Sequence, residues 1–150
     1  MATNPELAQR VVDAFTAGDL AGEPGAAALG EALGKIAADD FVCAFIAGAG
    51  ELMNEFEGVA GLVEGWSDWT SAFESYRVEQ DSGTVGDQAV VVFTRQFATL
   101  RGSANVVETP AAGAFYFRNG ELTRLELHLD RDEALRAAEV ESPPRGGGAD

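Results

Sequence analysis

Residues 88–100 restrict the possible fold more than any other segment, because they have the pattern of a β-strand with apolar side chains on both faces. The apolar residues of this segment include Val90, Val91, Val92, Phe93 and Phe97. A strand of this kind is covered on both sides of its sheet. The predicted helices come mostly before the sheet and are expected to cover one side. We therefore expect a second subunit to cover the outer face of the sheet, which makes the protein a homodimer.

The order of the predicted elements indicates an α+β fold rather than alternating β-α-β units. Apolar residues at helical spacing predict helices over residues 5–17, 31–38 and 58–70. Alternating or dense apolar patterns predict strands over residues 41–47, 73–81, 88–100, 105–117 and 122–129. Glycine-bearing segments are expected to form loops at residues 20–30 and 48–57.

Short local signals predict where several elements begin and end. Asn119-Gly120 is the strongest turn signal in the chain, because a tight hairpin needs positive φ at both central positions. Asn4 is expected to cap the first helix. Asp130 is expected to cap a closing helix, with Glu133 three residues later completing a capping box.

The charge balance and the composition exclude several functional classes. Asp and Glu outnumber Lys and Arg by 25 to 10, and no basic cluster is present, so we expect no nucleic-acid or polybasic membrane contact. No apolar run approaches the roughly 20 residues that span a bilayer. One Cys and one His provide too few ligands for a zinc site, and no glycine-rich phosphate-binding motif is present. We therefore expect no metal and no cofactor.

The two ends of the chain bear on location and domain organisation. Met1–Glu6 lacks the basic and apolar segments of a secretion signal, so a cytoplasmic location is expected. The abundance of Ala and the preference for Arg over Lys are typical of a bacterial protein. Residues 140–150 are rich in Pro and Gly and are expected to form a disordered tail, which leaves residues 1–139 as a single domain.

Several short segments have an order and spacing that are fairly specific to one fold: Glu6-Leu7 through Ala17-Gly18-Asp19, Ala38-Asp39-Asp40, Gly58-x-x-Gly61 with Trp66 and Trp69, Arg118-Asn119-Gly120-Glu121-Leu122, and Leu129-Asp130-Arg131-x-Glu133-Ala134-Leu135. Together they resemble the SnoaL-like, nuclear transport factor 2-like superfamily over roughly residues 5–138. The resemblance implies a cone in which three helices pack against a curved mixed or antiparallel sheet. It also implies an apolar cavity that opens at one end, and frequent dimerisation through the outer face of the sheet.

The resemblance also allows two known chemistries to be tested position by position. The tyrosine and the two aspartates of ketosteroid isomerases correspond to Val11, Phe45 and Ala112, so all three polar groups are missing. In the epoxide hydrolases of this fold, the matching strand keeps its arginine at Arg95 but loses the neighbouring acid, and the remaining acid corresponds to Leu127. Neither mechanism is therefore expected, and no catalytic residue is assigned.

Arg95 is the first candidate for ligand contact. By the same resemblance it faces the cavity within an apolar strand, where a buried arginine stays charged and needs partners. It is interpreted either as an anchor for a ligand carboxylate, phenolate or enolate, or as half of an internal ion pair with Glu79 or Glu108.

Aromatic residues are further candidates. Trp66 and Trp69 share one helix face, which forms core or cavity wall. Tyr116 and Tyr76 have hydroxyl groups to present to the cavity, and a buried tyrosine hydroxyl needs a partner.

His128 completes the candidate ligand-binding residues. It alternates with Glu126 and Arg124, so it lies on the outer face if the leucines of this strand line the core. A shift of one residue would place it on the cavity face, where His128 and Glu126 or Asp130 would form an acid–base pair.

These observations lead to one functional hypothesis with an alternative. The chain is expected to bind a small, mostly apolar molecule in a cone-shaped cavity. Any chemistry there would be proton transfer or cyclisation on a carbonyl-bearing, polyketide-like or steroid-like substrate. The alternative is a non-catalytic ligand-binding or dimeric structural module, which the missing acids favour; whether the protein is an enzyme stays open at this point.

Overall fold

The computed structural model describes residues 3–48, 50–85 and 89–138 of the chain, which form four helices and six strands. The helices are α1 (Asn4–Thr16), α2 (Gly22–Gly34), α3 (Gly58–Thr70) and α4 (Arg131–Ala137). The strands are β1 (Ala37–Ile46), β2 (Leu52–Glu57), β3 (Phe73–Val85), β4 (Val90–Leu100), β5 (Val107–Arg118) and β6 (Glu121–His128). No helix among the described residues has the length and apolar character needed to cross a membrane. The predicted tail, residues 140–150, lies outside the described residues.

All six strands join one open mixed sheet in the order β2-β1-β6-β5-β4-β3. β1 and β6 run parallel, and every other neighbouring pair is antiparallel. The turn between β5 and β6 is the predicted one, because Asn119 and Gly120 have φ values of 54° and 82°. This arrangement confirms the α+β class and the mixed sheet.

Helices α1, α2 and α3 pack together on one side of the sheet, which we call the inner face. Val11 of α1, Leu29 of α2 and Leu62 of α3 meet Phe41 and Leu125 of the sheet there, and all five side chains are almost completely buried. Burial of a side chain of this size stabilises the fold by about 1.5–3 kcal/mol. The main hydrophobic core therefore lies between the three helices and the inner face.

Helix α4 covers part of the opposite side, the outer face. Ala134 and Leu135 of α4 pack on Val91, Ala112 and Ala114, and Val91 is fully buried. The second apolar side of β4 is thus covered at Val91 by the last helix of the same chain. Among the described residues, the cluster under α4 includes Val91 and Phe93 but not Phe97 farther along the strand, and the homodimer stays a prediction.

Arg131, the first residue of α4, fastens this helix to the sheet. Its Nη2 donates to Asp81 Oδ2 at 2.6 Å and to the carbonyl oxygen of Thr94 at 2.7 Å. Its Nε donates to the carbonyl oxygen of Ala111 at 3.2 Å, and its guanidinium lies 4.8 Å from the ring centroid of Phe93. One side chain therefore holds α4 against β3, β4 and β5.

The helix caps differ in part from the prediction. Thr3, rather than Asn4, caps α1: its Oγ1 accepts from the backbone N–H of Glu6 at 3.3 Å, and Glu6 Oε1 accepts from the backbone N–H of Thr3 at 2.8 Å. Asp130 caps α4 as predicted and accepts from the backbone N–H of Glu133 at 3.1 Å. The Glu133 carboxylate binds the arginine three residues later instead of returning to Asp130, so the predicted capping box is wrong.

Helix α2 replaces the predicted loop at residues 20–30 and the predicted helix at residues 31–38. The glycines that indicated a loop are contact points of this helix. A Cβ on Gly25 would collide with the backbone of Leu20, and a Cβ on Gly30 would lie 2.6 Å from Cγ2 of Val63 on α3. These glycines allow close helix packing, which a local turn signal does not distinguish from a loop.

Strand β2 lies within the predicted loop at residues 48–57. It pairs antiparallel with β1 at the edge of the sheet, where Cys43 faces Phe56 and Ala44 faces Glu55. Most of its residues are exposed. An exposed edge strand lacks the apolar alternation that predicts strands, and for this reason the sequence did not show it.

Candidate functional site

The inner face of the sheet and helices α1 and α3 surround a cavity of about 500 Å³. Its wall is mainly apolar, and it includes Val12, Phe15, Phe45, Phe56, Trp66, Tyr76, Val78, Val92, Phe115 and Leu127. The cavity lies where α1 and α3 face the middle of the sheet.

Small residues on β5 leave the space that the cavity occupies. Ala111 and Gly113 both border it and lie two residues apart, so they share the inner face. A Cβ on Gly113 would point toward Phe115, Leu125 and Leu127 at 3.4–3.9 Å, and therefore into the interior. Larger side chains at these two positions would fill the cavity.

Trp66 is the centre of an aromatic wall. Its ring centroid lies 5.4–6.2 Å from those of Phe15, Phe45, Trp69 and Tyr76, mostly with the rings steeply inclined. Its indole N–H donates to a backbone carbonyl at 2.8 Å, and its side chain is almost completely buried. This bond and these contacts fix the position of α3 over the cavity.

Three uncharged polar side chains border the cavity on β3 and β4. Tyr76 is buried, and among the described residues its hydroxyl makes no hydrogen bond. Burial raises the pKa of Tyr76, so its hydroxyl keeps its proton and is a hydrogen-bond donor. Thr94 and Gln96 stand two residues apart on β4, on the same face as Val92.

The cavity opens to solvent between β2, α3 and the end of β6. Met53, Trp69 and Leu129 border the cavity and are exposed apolar residues, with Trp69 43% exposed. Asn54 and Asp68 border it on the same side and are also exposed. We call these five residues the mouth.

Sequence comparison identifies the family. The model of the SnoaL-like domain matches residues 8–125, which is most of the chain. The chain belongs to the SnoaL-like domain family. No curated protein matches the chain significantly.

Solved structures that resemble this SnoaL-like domain agree with it in fold. A putative SnoaL-like polyketide cyclase from Jannaschia sp. CCS1 is 18% identical, with 96% of this chain and 97% of that one covered and a TM-score of 0.66. TerC, co-crystallised with polyporic acid, is 18% identical, with 90% and 96% covered and a TM-score of 0.65. A hypothetical protein with a ketosteroid isomerase-like fold from Catenulispora acidiphila DSM 44928, in complex with trimethylamine, is 18% identical, with 93% and 96% covered and a TM-score of 0.61. These similarities show the cone-shaped fold.

The positions compared with the two known chemistries carry apolar residues inside the SnoaL-like domain. Val11 is fully buried in the core of α1, and Ala112 packs beneath α4. Phe45, Leu127 and also Ala112 border the cavity. No acid therefore stands at these points of the wall, and the polar groups of the cavity lie at other positions.

Arg95 lies on the outer face, so the expectation that it faces the cavity is wrong. Side chains alternate along β4, and the neighbours of Arg95, Thr94 and Gln96, border the cavity instead. Arg95 Nε lies 3.0 Å from Asp81 Oδ2, and its Nη1 lies 2.8 Å from Glu108 Oε2. Glu108 is one of the two acids predicted to form an internal ion pair with Arg95. These hydrogen bonds and charges raise the pKa of Arg95, with the bond to Glu108 as the largest cause.

Replacement of Arg95 with methionine is expected to leave ligand binding unchanged, because the guanidinium does not border the cavity. We expect only a small change in Tm, since the two ion pairs are accessible to solvent and such pairs stabilise little. Calorimetric titration and thermal unfolding of Arg95→Met check both expectations. A clear loss of ligand binding with unchanged Tm would show that Arg95 contacts the ligand and would contradict this prediction.

The buried His128 pairs with the half-buried Glu126 on β6. Nε2 of His128 lies 2.9 Å from Glu126 Oε1, and Arg124 Nε lies 2.7 Å from Glu126 Oε2. The hydrogen bond from His128 and the contact with Arg124 lower the pKa of Glu126. Glu126 is therefore a carboxylate, and Nε2 of His128 carries the proton that it donates.

The alternation of β6 places His128 on the outer face, but at the end of the strand its side chain also borders the cavity, and its contact with a ligand stays a prediction. Leu125 and Leu127 face the core, so His128, Glu126 and Arg124 lie on the opposite face, as the alternation predicts. His128 borders the cavity, but its Nδ1 is inaccessible and has no partner among the described residues.

The remaining predicted residues divide between the two faces. Trp66 and Trp69 border the cavity, whereas Tyr116 packs on the outer face with the residues under α4, and its hydroxyl lies 3.4 Å from Glu126 Oε1. The sequence did not reveal Gln96 and Asp68 as residues that border the cavity. The alternation Val90-Val92-Thr94-Gln96 was the available signal for Gln96.

Within the described parts of the chain, no group of three or more His, Cys, Asp and Glu is placed to hold a metal ion.

Proposed function

We propose that this SnoaL-like domain binds a small, mostly apolar molecule in the cavity of its inner face. The cavity itself carries the proposal. Its volume of about 500 Å³ falls within the roughly 300–1,000 Å³ of ligand pockets. Its wall combines apolar and aromatic side chains with a few polar groups, as such pockets do. Trp66 and Trp69 would contact the apolar body of the ligand.

The polar groups favour a ligand with a carbonyl or hydroxyl group. The hydroxyl of Tyr76 is a protonated donor that has no hydrogen-bond partner among the described residues, and the amide of Gln96 offers both a donor and an acceptor. A donor aimed at a carbonyl oxygen stabilises the negative charge that develops when the neighbouring carbon loses a proton. Any reaction here is therefore proposed to be proton transfer or ring closure on a carbonyl-bearing, polyketide-like or steroid-like substrate. The putative polyketide cyclase and the TerC complex among the similar structures support this class.

Substitution Gly113→Leu is the direct test, because it fills the cavity from β5. The φ of Gly113 is not positive, and an added Cβ would make ordinary contacts at 3.4–3.9 Å with the side chains of Phe115, Leu125 and Leu127, so the backbone accepts a side chain here. The probe is the uncharged compound naphthylmethanol, titrated by calorimetry. We expect wild-type protein to bind it and Gly113→Leu to bind more than about tenfold more weakly, with unchanged or higher Tm.

Gly18→Leu is the matched control, since it adds the same atoms at a position with open space that does not border the cavity. This variant should bind naphthylmethanol like the wild type. Equal binding by wild type and Gly113→Leu would show that the probe binds elsewhere and would contradict the proposal. Native mass spectrometry of the purified protein also measures the mass of any molecule that copurifies with it.

A further inference from the structure

The charges around the cavity are unusually one-sided. Among the described residues that border it, none is Lys or Arg. Asp68 stands at the mouth as an exposed carboxylate, and it makes no ion pair and no side-chain hydrogen bond within the described parts of the chain. The chain as a whole has a net charge of −15. An anionic ligand would therefore meet repulsion at the mouth and no counter-charge inside.

The position of Asp68 is unfavourable for the helix that carries it. It lies in the last turn of α3, where the carbonyl ends of the helix are partially negative and a cation is favoured. No basic residue occupies that turn. Arg101 donates to the carbonyl oxygen of Ser71 at 2.8 Å, but it forms no ion pair with Asp68 and does not border the cavity. Arg101 therefore supplies a cation at the C-terminus of α3, but the Asp68 carboxylate at the mouth has no ion-pair partner within the described parts of the chain.

Aromatic rings stand beside this negative site. Trp69 follows Asp68 in sequence, and its ring centroid lies 5.2–5.8 Å from those of Phe45, Phe73 and Tyr76, with interplanar angles of 69–90°. The faces of such rings carry partial negative charge and attract organic ammonium groups. Tryptophan is the most effective of the aromatic side chains in this contact.

We propose that the ligand of this cavity is a positively charged amine with an apolar body. Its ammonium group lies at the mouth between the Asp68 carboxylate and the Trp69 ring, and its apolar body occupies the cavity. This inference rests on the proposed function, because it specifies the ligand that the cavity binds. A purely apolar cavity would instead favour the uncharged ligand over the cation and the anion, because burial of an unpaired charge costs desolvation free energy.

The test uses three probes with one ring system and different charges: naphthylmethylamine, naphthylmethanol and naphthoate. Calorimetric titrations are run near neutral pH at physiological salt, which screens the distant surface charges. We expect the protonated amine to bind about tenfold more tightly than the alcohol. Naphthoate is expected to show no detectable binding.

Two variants of one helix assign the preference to the mouth. Asp68→Asn should weaken binding of the amine about fivefold and leave binding of the alcohol unchanged. Glu64→Gln removes the same charge one turn earlier on α3, from an exposed residue that does not border the cavity. This variant should change neither the binding of the amine nor the binding of the alcohol. Trp69→Leu keeps an apolar side chain but removes the ring, and it should weaken binding of the amine about threefold.

The outcomes separate this inference from the proposed function. If the alcohol binds as tightly as the amine and both are lost in Gly113→Leu, the cavity binds ligands and the charge preference is wrong. If the amine still binds Gly113→Leu, it is held by the acidic surface, which also overturns the inference. If none of the three probes binds wild-type protein, the proposed function fails and the inference fails with it.

Discussion

Substitution Trp66→Ala is expected to lower the free energy of unfolding by about 3–5 kcal/mol, the cost of removing a large aromatic side chain from a core. Trp66 is only 2% exposed and contacts four other rings. Its Nε1 donates to the carbonyl oxygen of Leu20 at 2.8 Å, and the alanine variant leaves that buried acceptor without its donor. The space left by the indole ring would join the existing cavity. The surrounding side chains would therefore fill little of that space, and most of the lost packing would not be recovered.

Urea denaturation followed by far-ultraviolet circular dichroism measures this effect without relying on tryptophan fluorescence. Trp66→Phe is the control, because it keeps a ring in the aromatic wall and loses the hydrogen bond to Leu20. We expect it to cost about 1–3 kcal/mol. A loss of under about 1 kcal/mol in Trp66→Ala would show that the aromatic wall does not hold α3 in place.

Substitution Gly25→Ala is expected to destabilise the protein by about 3 kcal/mol, although alanine is the better helix former by about 1 kcal/mol. The added Cβ would collide with the backbone of Leu20. That backbone is held at both polar groups: Leu20 N donates to Tyr76 O at 2.7 Å, and Leu20 O accepts from Trp66. Because Leu20 is fixed to β3 and α3, the start of α2 has to move instead.

Gly34→Ala provides the matched comparison on the same helix. Nothing lies within 4 Å of a Cβ at Gly34, so this variant should be neutral or up to about 1 kcal/mol more stable. Denaturant midpoints of the two variants compare them directly. Equal stability of Gly25→Ala and wild type would mean that α2 moves freely relative to Leu20. Since Trp66 and Gly25 act on one backbone segment, the double variant is not expected to be additive.

Elements with a strong local signal were predictable. Helix α3 has the predicted bounds, since Trp66 and Trp69 repeat at helical spacing on one face. The Asn119-Gly120 turn is as predicted, and the strands around it lie within two residues of their predicted bounds, because a tight turn requires residues that accept positive φ. The segments that resemble the SnoaL-like superfamily similarly identified the family.

Elements without such a signal were not predictable. The glycines of α2 read locally as a loop, although they are sites of close packing with Leu20 and α3. Strand β2 is exposed at the sheet edge and has no apolar alternation to reveal it. At Val91 and Phe93 the second side of β4 is covered by α4, which follows it by some thirty residues, and no pattern within β4 indicates which element provides this cover.

The candidate site shows the same division most clearly. The sequence by itself determined which residue types were present: two tryptophans on one helix face, a charged arginine in an apolar strand, and a single histidine near two acids. Only the tertiary structure decided that Arg95 faces outward to Asp81 and Glu108, while Gln96 beside it borders the cavity. Neighbouring residues of a strand point to opposite faces, so the choice depends on which face the helices cover. Which face the helices cover depends on contacts between distant parts of the chain.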